Sequence, residues 1–161
     1  MQWNIDTTHA NLDFSVKHMA ISTVRGSFNL FNGVGETNDA GLPTAISMEI
    51  DATSISTNNE QRDGHLKSPD FFDVASFPTI TFTSTAISGT RDDLTIVGDL
   101  TIRGVTKSVT LKGEMAPEVK DPWGNQRTSL AVAGKIKRSE FGLTWNQALE
   151  MGGVLVSDEV K

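Results

Sequence analysis

The stretch Leu94–Met115, LTIVGDLTIRGVTKSVTLKGEM, predicts a β-hairpin and thereby the class of the fold. Apolar side chains recur at every second position on both sides of Arg103-Gly104, as in strands that bury one face. A two-residue turn at Arg103-Gly104 brings both apolar rows onto the same face of the hairpin. The same register sets Lys107 opposite Leu100, on the apolar face one step from the turn.

The same alternation recurs along the chain and predicts about eight antiparallel strands, each with one apolar row. A barrel or a sandwich fits this pattern. Four glycines fall in inward rows and favour an eight-stranded barrel, which is just wide enough to hold one small ligand. These glycines either leave a cavity or mark bends where strands curl, and both interpretations stay open. They are Gly26, Gly98, Gly113 and Gly134.

Three details of this pattern can be checked against a structure. One inward row is predicted to end at Leu30, and another to run from Ile80 to Ala86. The segment between them, from Asn32 to Pro43, is rich in Gly and Asn/Asp and predicts a turn. We predict a single domain over residues 1–161.

One segment interrupts the β pattern, and we refer to Ser56–Phe77 as the insert. Thr57 and Glu60 have the spacing of a capping box and predict a helix over Asn58–Lys67. Ser68-Pro69-Asp70 offers a second helix start, because proline is favoured at the first helical position.

Aromatic side chains are concentrated in the second half of the insert, at Phe71, Phe72 and Phe77. Such a cluster is either ordinary packing or part of a ligand wall. We predict that the insert folds over one opening of the barrel as a lid.

Composition excludes several classes of function. The 161 residues include no cysteine, so neither disulfides nor thiolate metal sites can form. A net charge of −6 argues against nucleic acid as a partner. No run approaches the ~18 apolar residues of a membrane-spanning helix. The first residues contain no leader-like apolar run, so we expect a cytoplasmic protein, or a periplasmic one if a leader was removed.

Catalytic and metal-binding signatures are not evident in the sequence. His9, His18 and His65 have no metal-ligand spacing, and no nucleophile elbow or phosphate-binding glycine loop is present. Arg62 and Asp63 are neighbours in the insert and are predicted to form a solvated or cap-fixing ion pair. We therefore predict no catalytic residue, no metal and no cofactor.

Five segments together resemble the YceI-like family: Phe14–Phe28, Ser56–Phe82, Gly98–Leu111, Asp121–Arg127 and Arg138–Asn146. The resemblance implies a lipocalin-like, extended antiparallel β-barrel whose apolar tunnel binds a polyisoprenoid lipid. It also implies a protein without enzymatic activity that forms homodimers. Carriage or storage of the lipid is the function that follows, and an isoprenoid quinone is one candidate ligand.

The alternation predicts which side chains form the ligand wall, with Lys107 placed to meet a polar head group. The predicted ligand-binding residues are Phe14, Val16, Val24, Phe28, Ile46, Met48, Ile50, Phe71, Phe72, Ile80, Phe82, Ile96, Leu100, Lys107, Val109, Leu111, Leu130, Val132 and Ile136.

Two other classes of function compete with lipid binding. One is a hydrolase or lyase that uses one of the three histidines with a neighbouring carboxylate or a metal. The other is a dry structural barrel that acts through protein partners, with a role in stress protection.

Overall fold

Strands make up most of the computed structural model, which describes residues 2–5, 10–18, 22–69, 72–116, 119–120, 122, 126–136 and 152–160. For 15–18, 22–24, 119–120, 126–127, 135–136 and 152–160 it describes the backbone alone. The strands are β1 Gln2–Asn4, β2 Asn11–His18, β3 Ser22–Phe28, β4 Phe31–Thr37, β5 Pro43–Asp51, β6 Ile55–Ser56, β7 Thr79–Thr90, β8 Asp93–Ile102, β9 Val105–Met115, β10 Val119–Lys120, β11 Gln126–Ile136 and β12 Gly152–Val160. Helix α1 spans Glu60–Lys67, and a 3-10 turn spans Ala52–Ser54.

All described strand pairs are antiparallel, and the sheet curls back on itself. Its order is β1-β4-β5-β7-β8-β9-β11-β12-β2-β3-β6, with β10 beside β11. Because β4 follows β3, and β6 follows β5, each pair makes one long interrupted strand. β3 pairs with β6 and β4 with β5, so these two long strands lie side by side. Counting β1 with β2 as well, eight long strands complete the circuit of a lipocalin-like β-barrel, which confirms the predicted fold.

Two backbone hydrogen bonds connect the two long strands where each of them is interrupted. Asn29 N–H donates to the carbonyl of Ser54 at 3.2 Å, and Asp51 N–H donates to the carbonyl of Leu30 at 2.9 Å. Asp51 also caps the 3-10 turn, since its carboxylate accepts from the Thr53 backbone N–H and hydroxyl. These two hydrogen bonds lower the pKa of Asp51 because they favour the charged carboxylate, and the bond from the Thr53 hydroxyl has the larger effect.

The hairpin over Leu94–Met115 has the predicted register. Nine pairs connect β8 and β9, from Leu94 with Gly113 to Ile102 with Val105. Arg103 and Gly104 form the turn with φ angles of 53° and 73°. Positive φ at both central residues is the requirement of a type I′ turn, whose twist matches that of the flanking strands.

The predicted turn from Asn32 to Pro43 is wrong in its first half, which belongs to strand β4. Gly33 of this strand is required by close packing and not by a turn. A Cβ at Gly33 would lie 2.7 Å from Ile5 Cδ1 and 2.8 Å from the carbonyl oxygen of Ser47. The real turn is shorter and is built on Asn38, whose side-chain oxygen accepts from Ala40 N–H and Leu42 N–H.

Two inward rows also differ from the prediction. Leu30 is 61% exposed because it lies in the junction between β3 and β4, and Phe31 turns to the core in its place. In β7 the register shifts between Ser84 and Ala86, as at a β-bulge. The extra residue turns Ala86 outward and brings Ile87 to the core face.

The end of the barrel away from the Arg103-Gly104 turn is held together by Arg91. Its guanidinium donates to the carbonyl oxygens of Ala116, at 2.9 Å, and Gly41, at 3.1 Å. The Met115 N–H in turn donates to the Arg91 carbonyl at 2.7 Å. One side chain therefore connects three loops at this end of the barrel.

Candidate ligand-binding interior

Most of the described inward side chains of the barrel belong to one apolar cluster. Fourteen predicted wall residues belong to it: Phe14, Phe28, Ile46, Met48, Ile50, Phe72, Ile80, Phe82, Ile96, Leu100, Val109, Leu111, Leu130 and Val132. Val16 and Val24 pair with each other across β2 and β3, and Ile136 ends β11, but their side chains lie outside the described part. Phe71 lies outside the described residues altogether.

Six further buried residues share this cluster and were not predicted as wall residues. They are Leu12, Ala52, Ile55, Leu94, Ile102 and Met115. The alternation of β2, β8 and β9 could have included four of them, since they lie in the same inward rows. Ala52 and Ile55 follow no period, because they lie where the 3-10 turn interrupts a long strand.

The inward glycines are neither open space nor bends at positive φ. In each case a side chain from a neighbouring strand already occupies the place of the missing Cβ. A Cβ at Gly98 would lie 2.5 Å from Phe82 Cζ, and one at Gly134 would lie 2.5 Å from Leu111 Cδ2. Of the two interpretations left open, a cavity at these glycines beside the barrel axis is therefore wrong. Glycine instead lets a large neighbour lie along the wall.

Gly26 shows the same arrangement where the barrel meets the insert. Its Cβ would lie 2.5 Å from Phe14 Cζ and 2.8 Å from the methyl carbon of Thr57. Phe14 packs against Phe28 with ring centroids 5.6 Å apart, and Phe28 meets Phe72 of the insert edge-on at 5.9 Å. Edge-to-face aromatic pairs of this kind add to the energy of area burial.

The insert also contacts the far side of the same barrel end. A Cβ at Gly104 would lie 2.8 Å from Phe77 Cε1, so Phe77 packs on the turn between β8 and β9. Phe72 meanwhile lies on Phe28 of β3, which is three strands from β8 in one direction around the barrel and four strands from β9 in the other. The insert therefore spans this end of the barrel between β3 and the β8–β9 turn.

The predicted helix is present, but its cap differs. Asn59, not Thr57, is the N-cap, and its side chain accepts from the backbone N–H of Arg62 at 3.0 Å. Thr57, only 5% exposed, instead joins the helix to the barrel. Asp63 accepts from both its N–H and its hydroxyl, while Arg62 donates to its hydroxyl and carbonyl oxygens. Arg62 and Asp63 thus hold the first residue after β6.

The predicted second helix start at Ser68 is wrong for the described residues, which form turns from 72 to 76. The chain folds back onto the end of α1, where Phe72 N–H donates to the carbonyl of Leu66 and Val74 N–H to that of Lys67. These bonds satisfy carbonyls that the helix end leaves without a partner.

Lys107 lies where the hairpin register predicted. It pairs with Leu100, and alternation puts both on the inward face with Val105 and Val109. The two valines are half-buried, whereas Lys107 is exposed. Solvent therefore reaches the inner face of β9 at this level, which lies at the same end as the insert.

The described residues show no group of three or more His, Cys, Asp or Glu side chains that could hold a metal ion. His65 lies in the last turn of α1, whereas His9 and the side chain of His18 lie outside the described part. Within that part, no helix is long and apolar enough to cross a membrane. The chemistry that the described interior offers is the burial of apolar ligand surface beside one ammonium group.

Comparison with known proteins identifies the family. The model of the YceI-like domain matches residues 3–161. The chain belongs to the YceI-like family. A UPF0312 protein of Staphylococcus aureus (strain USA300) is 41% identical over 162 residues, which cover 99% of this chain and 92% of that protein.

Two solved structures share the YceI-like fold of this chain. The crystal structure of Burkholderia cenocepacia BcnA matches with a TM-score of 0.85 at 19% identity, over 98% of this chain and 99% of that one. A polyisoprenoid binding domain from Saccharophagus degradans matches with a TM-score of 0.74 at 16% identity, over 99% of this chain and 97% of that one. At these identities the likeness establishes the architecture of the barrel.

Proposed function

We propose that the protein binds a polyisoprenoid lipid along the inner face of its barrel, for carriage or storage. The observation that carries this proposal is the continuous apolar cluster that lines the described strands and reaches Phe72 of the insert. The family match and the polyisoprenoid binding domain of the same fold support it. Each buried methylene contributes about 0.8 kcal/mol before ordering costs, so a prenyl chain of several units gains enough to bind tightly.

Native mass spectrometry followed by organic extraction tests this proposal. Protein purified without detergent is expected to carry an adduct of lipid mass, and the extract is expected to contain a compound built of isoprene units. The same spectra report whether the protein is the homodimer that we propose. An adduct-free chain, or one that carries only a metal mass, would contradict lipid binding.

Adjacent positions on β9 supply a matched control for that experiment. Val109 faces the interior and Thr110 faces solvent, since alternate residues of a strand point to opposite faces. Val109→Gln places an amide on the apolar wall and is expected to lower the lipid content severalfold. Thr110→Gln is expected to leave it unchanged. Circular dichroism of both variants shows that the fold persists.

We further propose that the insert is a lid over its end of the barrel. Phe72→Ala removes the ring that meets Phe28 edge-on and is expected to speed lipid release severalfold, because the insert then loses this contact with β3. Release of a fluorescent prenyl probe into excess vesicles measures this rate.

Phe31→Ala is the control for the lid experiment. Phe31 is a half-buried phenylalanine of β4 that packs against the same core but lies outside the insert. Both variants are expected to lose stability, and only Phe72→Ala is expected to speed release. Equal release rates in the two variants would show that the insert is ordinary core.

A further inference from the structure

Charged side chains in five neighbouring strands, β4, β5, β7, β8 and β9, divide sharply between the two faces of the sheet. Every side chain of these strands is described, and the register assigns each to a face. Seven charged side chains point outward: Glu36, Glu49, Asp51, Asp93, Asp99, Lys112 and Glu114. Lys107 alone points inward.

We propose that Lys107 binds an anionic head group, so that the preferred ligand is a prenyl chain that ends in a phosphate or a similar acid. This inference rests on the proposed lipid-binding function and specifies the ligand class. The ammonium of lysine is a compact charge with three donors, which suits phosphate oxygens. No carboxylate shares its face in these five strands, so an anionic ligand is the complement that this part of the inner face lacks.

The surroundings of Lys107 favour such an ion pair. Leu100 lies directly opposite, and Val105 and Val109 flank it in the inward row. Lys107 itself is exposed, so water screens its charge until a prenyl chain covers these apolar side chains, and exclusion of that water would strengthen its attraction for an anion. The stem of lysine can lie along the same apolar surface while its ammonium reaches the head group.

The position of Lys107 along the barrel also suits an amphiphile. It lies near the end that the insert spans, since Phe77 of the insert packs on the adjacent turn at Gly104. From there the inward rows of β8 and β9 continue through Ile96 and Leu111 to Leu94, at the end that Arg91 ties together. The head group would lie at the end with the insert and the prenyl chain would extend along these rows.

The test compares a prenyl phosphate with the neutral prenol of the same chain length. The natural protein is expected to bind the phosphate about tenfold more tightly, a preference that rising salt reduces. Lys107→Met keeps an apolar stem without the charge and is expected to abolish the preference while prenol binding is retained. Lys112→Met is the control, because Lys112 lies on the outer face of the same strand and pairs with Asp93.

The outcomes separate this inference from the proposed function. Equal binding of phosphate and alcohol by the natural protein, or a preference that survives Lys107→Met, would overturn the role of Lys107 and leave lipid binding intact. Binding of neither ligand would overturn lipid binding itself. Inorganic phosphate tests whether the site binds free phosphate and not a lipid head group. If it displaces the prenyl phosphate at similar concentrations, the site binds free phosphate and the head-group inference fails.

Discussion

Replacing Phe82 with alanine is expected to lower the free energy of unfolding by about 3–5 kcal/mol, the usual cost of removing a buried phenylalanine. Phe82 is 6% exposed and belongs to the apolar cluster on the inner face. Its ring lies over Gly98 of the adjacent strand, where it occupies the place of a Cβ. The variant thus loses the packing of the ring and uncovers the backbone of β8.

The complementary change, Gly98→Ala, is expected to cost about 1–3 kcal/mol by overpacking. Its new Cβ would lie 2.5 Å from Phe82 Cζ, and 2.7 Å from the carbonyl oxygen of Thr83. Phe82→Leu removes the ring atoms that clash, so Gly98→Ala is expected to cost less in that background. Denaturant unfolding of the two single variants and the double variant measures the coupling, which is expected to be about 0.5–3 kcal/mol.

Gly64→Ala is the control for a glycine with free space. Gly64 lies in α1, and a Cβ there meets nothing within 4 Å. Alanine is expected to raise stability by about 0.5–1 kcal/mol, because glycine is the poorer helix former. If Gly98→Ala lowers the free energy of unfolding equally in the natural protein and in the Phe82→Leu variant, the packing of the Phe82 ring does not depend on Gly98.

This relation between glycine and its neighbours could not be read from the sequence. Alternation assigns Gly98 and Phe82 to the inward face, and that assignment was confirmed. Alternation does not predict the rotamer of a side chain on the neighbouring strand. An inward glycine therefore looked like empty space, although the ring of Phe82 fills it.

Local turn chemistry was the most predictable part of the fold. The Arg103-Gly104 turn fixed the register of β8 and β9, and with it the inward position of Lys107. Strand β4 was missed because Gly33 and Gly35 suggested a turn, whereas the packing of Ile5 against Gly33 depends on a distant part of the chain. The bulge near Thr85 was missed for a related reason, since nothing in a threonine-rich strand marks where one residue is added.

The insert was predicted as a helix, but the way it is attached to the barrel was not. Sequence spacing predicted Thr57 as the helix cap. In the structure Thr57 instead forms hydrogen bonds with the side chains of Arg62 and Asp63. The capping-box spacing is satisfied by chance when a better cap, Asn59, lies two residues later. Thr57 is buried against the barrel, which explains why Asn59 and not Thr57 caps the helix.

That attachment leads to the second large effect, which is expected for Asp63→Ala. The change removes the acceptor of two donors on Thr57, its backbone N–H and its hydroxyl. Thr57 is 5% exposed, and a buried donor left without an acceptor costs about 1–3 kcal/mol. We expect a total loss of about 2–3 kcal/mol, although alanine is the better helix former.

Two variants of the same helix make the Asp63 experiment specific. Asp63→Asn retains a side-chain oxygen that can accept from Thr57 and is expected to lose less than half as much stability. Glu60→Ala removes an exposed carboxylate from the first turn and is expected to change stability by less than about 0.5 kcal/mol. Thermal and denaturant unfolding of the three variants gives the comparison. If Asp63→Ala is as mild as Glu60→Ala, the stability of the protein does not depend on the hydrogen bonds between Thr57 and Asp63.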